Sequence, residues 1–294
     1  MGFHIPVLLD QILNHLDVQN DRIYIDATLG HGGHTIEILK RGGIVFGLDQ
    51  DQNNIDIATK RITDLNLQTN FHSINANFNQ LEKIVKKHIK QKIDGLLVDL
   101  GLSQNQQTAD NRGFSFNDNQ SLDMRLNPKS QKLTAENIIN TYSFDELYQI
   151  FTKYGQELYS KPIIPKIIQS RQKKPIKTGQ ELADIIRKYY HDHHLQTKID
   201  PATKIFLSLR IIVNNEFKNL KKILQQSLKV VKGDCPICII SFHSGEDRII
   251  KQFIRSNLSQ KTIKTASPPI HPTHQEIIKN PLSRSATLRS YKIY

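Results

Sequence analysis

Three carboxylates stand at the ends of short, apolar, β-prone runs: Asp26 after Ile23-Tyr24-Ile25, Asp49 after Gly43 to Leu48, and Asp99 after Gly95 to Val98. A glycine-dense turn, Gly30-His31-Gly32-Gly33-His34, follows the first of them and leads into helix-like sequence from Thr35 to Lys40. Strand, tight loop and helix N-terminus together form the arrangement that cradles a nucleotide-like cofactor. Asp49 falls about 20 residues beyond that loop, where a ribose diol is gripped. Thr35 stands where a dinucleotide fingerprint needs its third glycine, and no Gly-Lys-Ser/Thr follows the turn as a P-loop requires. Acid-x-x-x-Gly-x-Gly, with Thr28 where a further glycine often stands, suits a cofactor with a ribose and an amino-acid tail but no pyrophosphate. That description points to S-adenosylmethionine. An ordinary strand-turn-helix packed through its glycines is the alternative reading of this segment alone.

The elements that must position these acids follow from periodicity. Val7, Leu8, Ile12, Leu13 and Leu16 recur at helical spacing, and Ile55, Ala58 and Ile62 place a helix over 53–64. Residues 70–77 predict a third strand and 78–90 a third helix. The run 93–101 is a fourth strand, so β-α units alternate and the sheet is parallel and doubly wound, an α/β fold. Ligands of such sheets bind beyond the C-terminal ends of the strands. Asp26, Asp49, Phe78 and Asp99 all fall there, so one site can collect them.

Beyond Asp99 the character changes. Residues 101–119 are polar and read as an ordered loop, with Arg112-Gly113-Phe114-Ser115-Phe116 setting two aromatics beside a cation. From 120 to 199 the pattern is helical, broken around Pro162, Pro165 and Pro175, which predicts an inserted helical domain between core segments 1–119 and 200–294. Pro201 to Val231 reads as one long amphipathic helix, Cys235 to Phe242 as a buried strand and Ala286 to Ile293 as a final one. Gln260 to Pro281 reads as a surface loop. His191-Asp192-His193-His194 is read as solvent-exposed, because one polar loop without remote ligands rarely closes a metal site. Cys235 and Cys238 form a lone C-x-x-C inside a strand-like run, which suits two structural thiols in a reducing compartment. No metal is expected.

The 294 residues are 38% hydrophobic and 23% charged, as in a soluble globular protein large enough for one big domain or two. No apolar run reaches membrane-spanning length, and the N-terminus lacks a signal-peptide pattern, so a cytoplasmic location is expected. A net charge of +12 with a pI near 9.5 makes a polyanion such as nucleic acid the leading partner.

Several separate blocks resemble one family. They are Asp26 to Gly30 with Gly32-Gly33-His34, Asp94 to Gly101, Arg112 to Phe116, and Leu122-Asp123-Met124-Arg125. Pro201-Ala202-Thr203, Ser241 to Ser244 with Glu246-Asp247-Arg248, and Arg284-Ser285-Ala286 complete the set. In matching order from His4 onward, they resemble the RsmH (MraW) family, ribosomal small-subunit RNA methyltransferases that act on N4 of a cytosine in the decoding region. The resemblance implies a Rossmann-like class I methyltransferase with an inserted helical domain. It also implies S-adenosylmethionine as cofactor and small-subunit ribosomal RNA, within the assembled subunit, as partner.

Cofactor contacts implied by the resemblance are Gly32, Gly33, His34, Asp49, Phe78, Asp99 and Gln106. Asp99 is the candidate to accept from the cytosine amine, or else it only orients the donor. Arg210 and Asn214, one turn apart on a helix, and His243 are candidates for the RNA side. Phe114, Phe116 and Phe242 are able to stack a base, although as core aromatics they need no such role. Asn105, Lys204 and Gly245 depart from the family's usual proline, arginine and leucine. The departures at 105 and 245 motivate an alternative, a ribosome-assembly or RNA-binding factor that keeps the fold without turnover. A nicotinamide oxidoreductase is disfavoured by Thr35.

Overall fold

The apolar runs that end in carboxylates are strands of one seven-stranded sheet. β1 (Ile23–Asp26), β2 (Ile44–Asp49), β3 (Phe71–Asn75), β4 (Gly95–Asp99) and β5 (Pro236–Ser241) are parallel, in the order β3-β2-β1-β4-β5. β6 (Ile263–Ala266) and β7 (Thr287–Ile293) extend the sheet past β5, with β7 antiparallel to both of its neighbours. The structure is a computed structural model that describes residues 5–102, 112–116, 119 and 121–294. Parallel strands are covered on both faces and so read as unbroken apolar runs; β5 is buried along its whole length.

Helices on the two faces close two apolar cores. One gathers Ile25, Leu48, Leu96, Val98 and Ile239, and the other Tyr24, Val45, Leu97, Cys238 and Ile240. Successive residues thus go to opposite faces, as the pleat demands. α1 (Leu9–Leu16), α2 (Gly33–Lys40), α3 (Gln52–Asp64) and α4 (Leu81–Ile84) lie among these strands, and a π turn over Val85–Ile89 continues α4. Burial pushes the Cys238 thiol up to about 12, and both cysteines are free. No helix among the described residues is long and apolar enough to cross a membrane.

The chain divides into two compact units, 1–103 with 217–294, and 104–216. The second is helical: α5 (Ala135–Thr141), α6 (Phe144–Lys153), α7 (Ser160–Lys173), α8 (Gly179–Asp192) and α9 (Thr203–Val213). Thr134 with Asn137, Ser143 with Glu146 and Thr178 with Glu181 form capping boxes, which fix where α5, α6 and α8 begin. This unit is larger than the expected 120–199 insert. Ala202, Ile205, Phe206, Leu209 and Val213 belong to its core, and Phe114 and Phe116 pack against it.

The structure corrects three further expectations. The single helix expected over 201–231 is two, α9 and α10 (Glu216–Val230), because Asn215 turns left-handed at φ 52° between them. Pro162 and Pro165 do not break α7: the first lies in its opening turn, where no N–H is needed, and the second is carried inside. Only Pro175 stops the helix, leaving Lys174 extended. The expected loop 260–281 contains β6 and α12 (His274–Lys279); α11 (Ser244–Ser259) precedes it. His191 is exposed and His193 stacks on Tyr189 at 4.1 Å, in keeping with a solvated cluster.

The Arg112–Phe116 and Leu122–Arg125 blocks meet in one hydrogen-bonded knot of the second unit. Arg112 Nη1 donates to the carbonyls of Arg125 and Leu126, each at 3.1 Å. Asn214, only 5% exposed, donates to the Met124 carbonyl at 2.8 Å and accepts from the Leu126 N–H at 2.9 Å. Removing that amide strands two backbone groups at once. Asn214→Ala is therefore expected to destabilise the second unit by about 2–3 kcal/mol, read as an earlier urea transition of that unit's signal, with no change expected for the exposed α7 control Lys166→Ala.

Candidate functional site

β1 is the topological switch point of the parallel sheet, with β2 on one side and β4 on the other. Crevices open at such points beyond the strand ends. Asp26, Asp49 and Asp99 close three adjacent strands there, all within the first unit.

Asp49 shapes the glycine loop directly. Its Oδ2 accepts from the Gly30 N–H at 2.9 Å and from Asn54 Nδ2 at 3.1 Å, and its Oδ1 accepts from the Asp51 N–H at 2.8 Å. A carboxylate offers about four lone-pair positions, so one, on Oδ1, is left for a hydroxyl. Burial raises the Asp49 carboxyl to about 6, against the pull of those three donors.

The glycines of the loop differ in what they face. A Cβ at Gly32, where φ is 75°, would meet Ala58 Cβ at 3.2 Å, and one at Gly33 would meet Pro6 Cγ at 2.6 Å. Those two positions need glycine for packing of the protein on itself. At Gly30 a Cβ would find nothing closer than the Thr28 carbonyl at 3.9 Å, so this flank of the loop is open. The Arg61 guanidinium braces the far end by donating to the His31 carbonyl.

Thr28, where another glycine was conceivable, has a task of its own. Its hydroxyl accepts from the Asp99 N–H at 2.6 Å and so ties the loop to the tip of β4. Asp26 is buried, and that burial raises its carboxyl even though it accepts from the Thr28 N–H at 3.2 Å and the Thr35 hydroxyl at 2.8 Å. Asp99 Oδ1 accepts from the Gly101 N–H at 3.2 Å, which leaves Oδ2 pointing elsewhere. His34 Nε2 lies 3.7 Å from that Oδ2. The His34 side chain is buried, and neither ring nitrogen has a hydrogen-bond partner among the described residues. A buried imidazole with two unsatisfied nitrogens is costly, and a polar ligand would meet the deficit.

Phe78 opens a 3₁₀ turn, Phe78–Gln80, just past β3, and is half-buried against the core. Asn77 caps that turn and donates to Gln50 Oε1 at 2.8 Å, which fixes it to the end of β2. Gly32, Gly33, His34, Asp49, Phe78 and Asp99 therefore share one end of the sheet; Gln106 lies outside the described residues.

The candidates for the RNA side are engaged structurally. Arg210 forms a two-pronged pair with Glu216 at 2.9 and 3.1 Å, and Asn214 belongs to the knot described above; both are in the second unit. His243 caps α11: its Nδ1 accepts from the Gly245 and Glu246 N–H groups at 3.2 and 3.4 Å. Nδ1 is thus the acceptor, and Nε2 lies 3.3 Å from Glu246 Oε1. Glu246 Oε2 in turn accepts from the Phe242 N–H at 2.9 Å. A Cβ at Gly245 would stand 2.6 Å from Phe217 Cζ, so the Phe217 ring occupies the space a side chain would need. Phe242 packs against Gly101, while Phe116 meets Phe206 edge-on at 5.9 Å in the helical core. The sequence placed Gly30 and Thr28 in the loop, but the tie from the Thr28 hydroxyl to the Asp99 N–H was not foreseen, because it joins residues far apart in the chain.

Comparison with known proteins agrees with this geometry. The MraW methylase family matches residues 1–294. A ribosomal RNA small subunit methyltransferase H of Halothermothrix orenii is 39% identical, with 97% of each chain covered. The protein of that name from Mycoplasma mycoides subsp. mycoides is 38% identical, with 98% of each covered. A crystal structure of a candidate rRNA-methylase from Clostridium thermocellum superposes with a TM-score of 0.50 at 13% identity, covering 99% of this chain and 100% of that one. That likeness concerns the fold alone, the Rossmann-like class I methyltransferase α/β architecture. The chain belongs to the MraW methylase family.

Proposed function

We propose that this chain is an S-adenosylmethionine-dependent methyltransferase acting on N4 of a cytosine in small-subunit ribosomal RNA near the decoding site. The observation that carries the reading is the pair of strand-tip carboxylates, Asp49 and Asp99, flanking a loop whose Gly30 side is open. The residues suit the donor: a lone pair of Asp49 for a ribose hydroxyl, an open loop flank, and the unsatisfied His34 ring. The bound donor supplies a methyl group on a cationic sulphur, which needs no acid or base to become electrophilic.

In this reading the loop at Gly32, Gly33 and His34 receives the methionine end, Asp49 the ribose and Phe78 the adenine. Asp99 borders the place of methyl transfer. A cytosine amine delocalises its lone pair into the ring and is a poor nucleophile, so the base must leave its stack and N4 must be aligned. Asp99 accepts from the amine through Oδ2, which localises the lone pair. With the donor bound, Asp99 would take the one proton that N4 sheds when the methyl passes from sulphur to nitrogen and the donor leaves as a neutral thioether. The Gly101 N–H holds Oδ1 at 3.2 Å and so orients the carboxylate.

His243 contributes by holding the start of α11, and Asn214 and Arg210 by holding the second unit's ordered segments against RNA. The substrate is the assembled small subunit, in the cytoplasm. Incubation with unmodified subunits and labelled donor, followed by mass mapping, is expected to find one added methyl on a single cytosine. No incorporation by protein that binds the donor in calorimetry would overturn the proposal.

Two variants probe the carboxylates. Asp99→Asn keeps the size but loses the base, and kcat is expected to fall about 10²- to 10⁴-fold with S-adenosylhomocysteine affinity little changed. Asp49→Asn is expected to weaken that affinity about tenfold by calorimetry, since a hydrogen bond to a charged acceptor is lost. In the unsubstituted protein the affinity is expected to drop as pH falls through about 6, because protonation removes the acceptor that the hydroxyl uses. In Asp49→Asn that pH dependence should disappear.

A further inference from the structure

Residues 78–92 and 217–230 carry nine lysines and one glutamate, which is eight of the chain's twelve net positive charges. All nine lysines are exposed. Lys83, Lys86, Lys87 and Lys90 recur at helical spacing along α4 and its π extension, and Lys218, Lys221, Lys222 and Lys229 do so along α10. The opposite faces of both segments are buried in one core through Leu81, Ile84, Val85, Leu220, Ile223 and Leu224.

The two stripes lie side by side within the first unit. Asn79 Nδ2 donates to Asn219 Oδ1 at 2.7 Å, Gln226 Nε2 donates to the Asn79 carbonyl at 2.8 Å, and the Glu82 N–H donates to Gln226 Oε1 at 2.8 Å. Glu82, the one acid of these stretches, is shared by Lys86 at 3.0 Å and Lys229 at 3.1 Å. Lys83, Lys87, Lys218, Lys221 and Lys222 meet no carboxylate among the described residues. A cleft of about 570 Å³ opens along the first segment and reaches Gln226 of α10; its lining includes Lys83, Lys86 and Lys87 together with Glu82, whose charge Lys86 and Lys229 offset.

Like charges ranged on one face repel one another, and a polyanion relieves that repulsion. We infer that this double lysine stripe is the docking face for the phosphate backbone of an RNA helix adjoining the target cytosine. The inference rests on the RNA-methyltransferase reading above and deepens it by naming the surface. Three features favour RNA. α4, which bears the first lysine of the stripe, follows directly on the turn that holds Phe78, so a strand lying along the stripe leads towards the cofactor site. Lysines act as point charges without an apolar wedge, which suits phosphates rather than a bilayer. Fourteen helical residues span about 20 Å, enough to face several phosphates at about 3.4 Å per strand charge.

The test is the triple reversal Lys83→Glu, Lys87→Glu and Lys222→Glu, made in the full chain. Melting temperature and S-adenosylhomocysteine affinity check that the fold and cofactor site survive. Binding to purified unmodified small subunits and to their naked RNA is then measured across potassium chloride concentrations. The expected result is binding at least tenfold weaker at moderate salt and a log–log salt slope shallower by about two to three. KM for the subunit should rise with kcat at saturation unchanged. A reversal of Lys161, Lys166 and Lys173 in the second unit is the control. Wild-type affinity and slope in the first variant, or an equal loss in the control, would refute the docking face while leaving the methyltransferase reading intact. Failure of the unsubstituted protein to methylate the subunit would instead remove that reading.

Discussion

A carboxylate at the end of one strand sets the shape of the loop that follows its neighbour. Asp49 accepts from the Gly30 N–H across the β1–β2 pair and, through Asn54 and Asp51, also anchors the start of α3. The opposite wall is tied in the same manner, by the Asp99 N–H on the Thr28 hydroxyl. The glycine loop is therefore held from both adjacent strands before any ligand arrives. Preorganisation of this kind spares a bound molecule the cost of ordering the loop. It also means that the acids of the site are structural parts, so fold and site cannot be varied independently.

Much of this was legible in the sequence, and the reasons are local. β1, β2, β4 and β5 are apolar runs punctuated by acids or glycine, and their type follows from burial on both faces. The capping boxes at Thr134, Ser143 and Thr178 are equally short-range signals. What was not legible depends on partners far along the chain. β6 is a polar edge strand defined by its pairing with β7, and nothing in Ile263–Ala266 announces it. α9 looks continuous with α10 by periodicity, but its apolar face joins the helical core, and the break rests on the backbone of Asn215. In the site, the acids could be read because strand ends are predictable. Gly32 and Gly33 could be read as glycines but not for their reason, since Pro6 and Ala58 come from elsewhere in the first unit.

The second unit shows how separated blocks can serve one purpose. Arg112, Met124 to Leu126 and Asn214 are far apart in the chain and share a single hydrogen-bonded knot. Arg187 reaches Asp200 at 2.6 Å and lies over the Phe116 ring at 5.4 Å, which joins the Pro201 block to the aromatic one. Residues chosen from the sequence as RNA contacts are here the fasteners of a scaffold. Long polar side chains near a functional region look alike in sequence whether they touch a ligand or hold the backbone that does.

The contact between Gly245 and Phe217 bears on how this chain can change over generations. Any side chain at 245 must displace the Phe217 ring, and a smaller residue at 217 would leave a void above the His243 cap. Neither position can drift alone without a cavity or a collision. A replacement at either site is thus tolerated only with a matching change at the other.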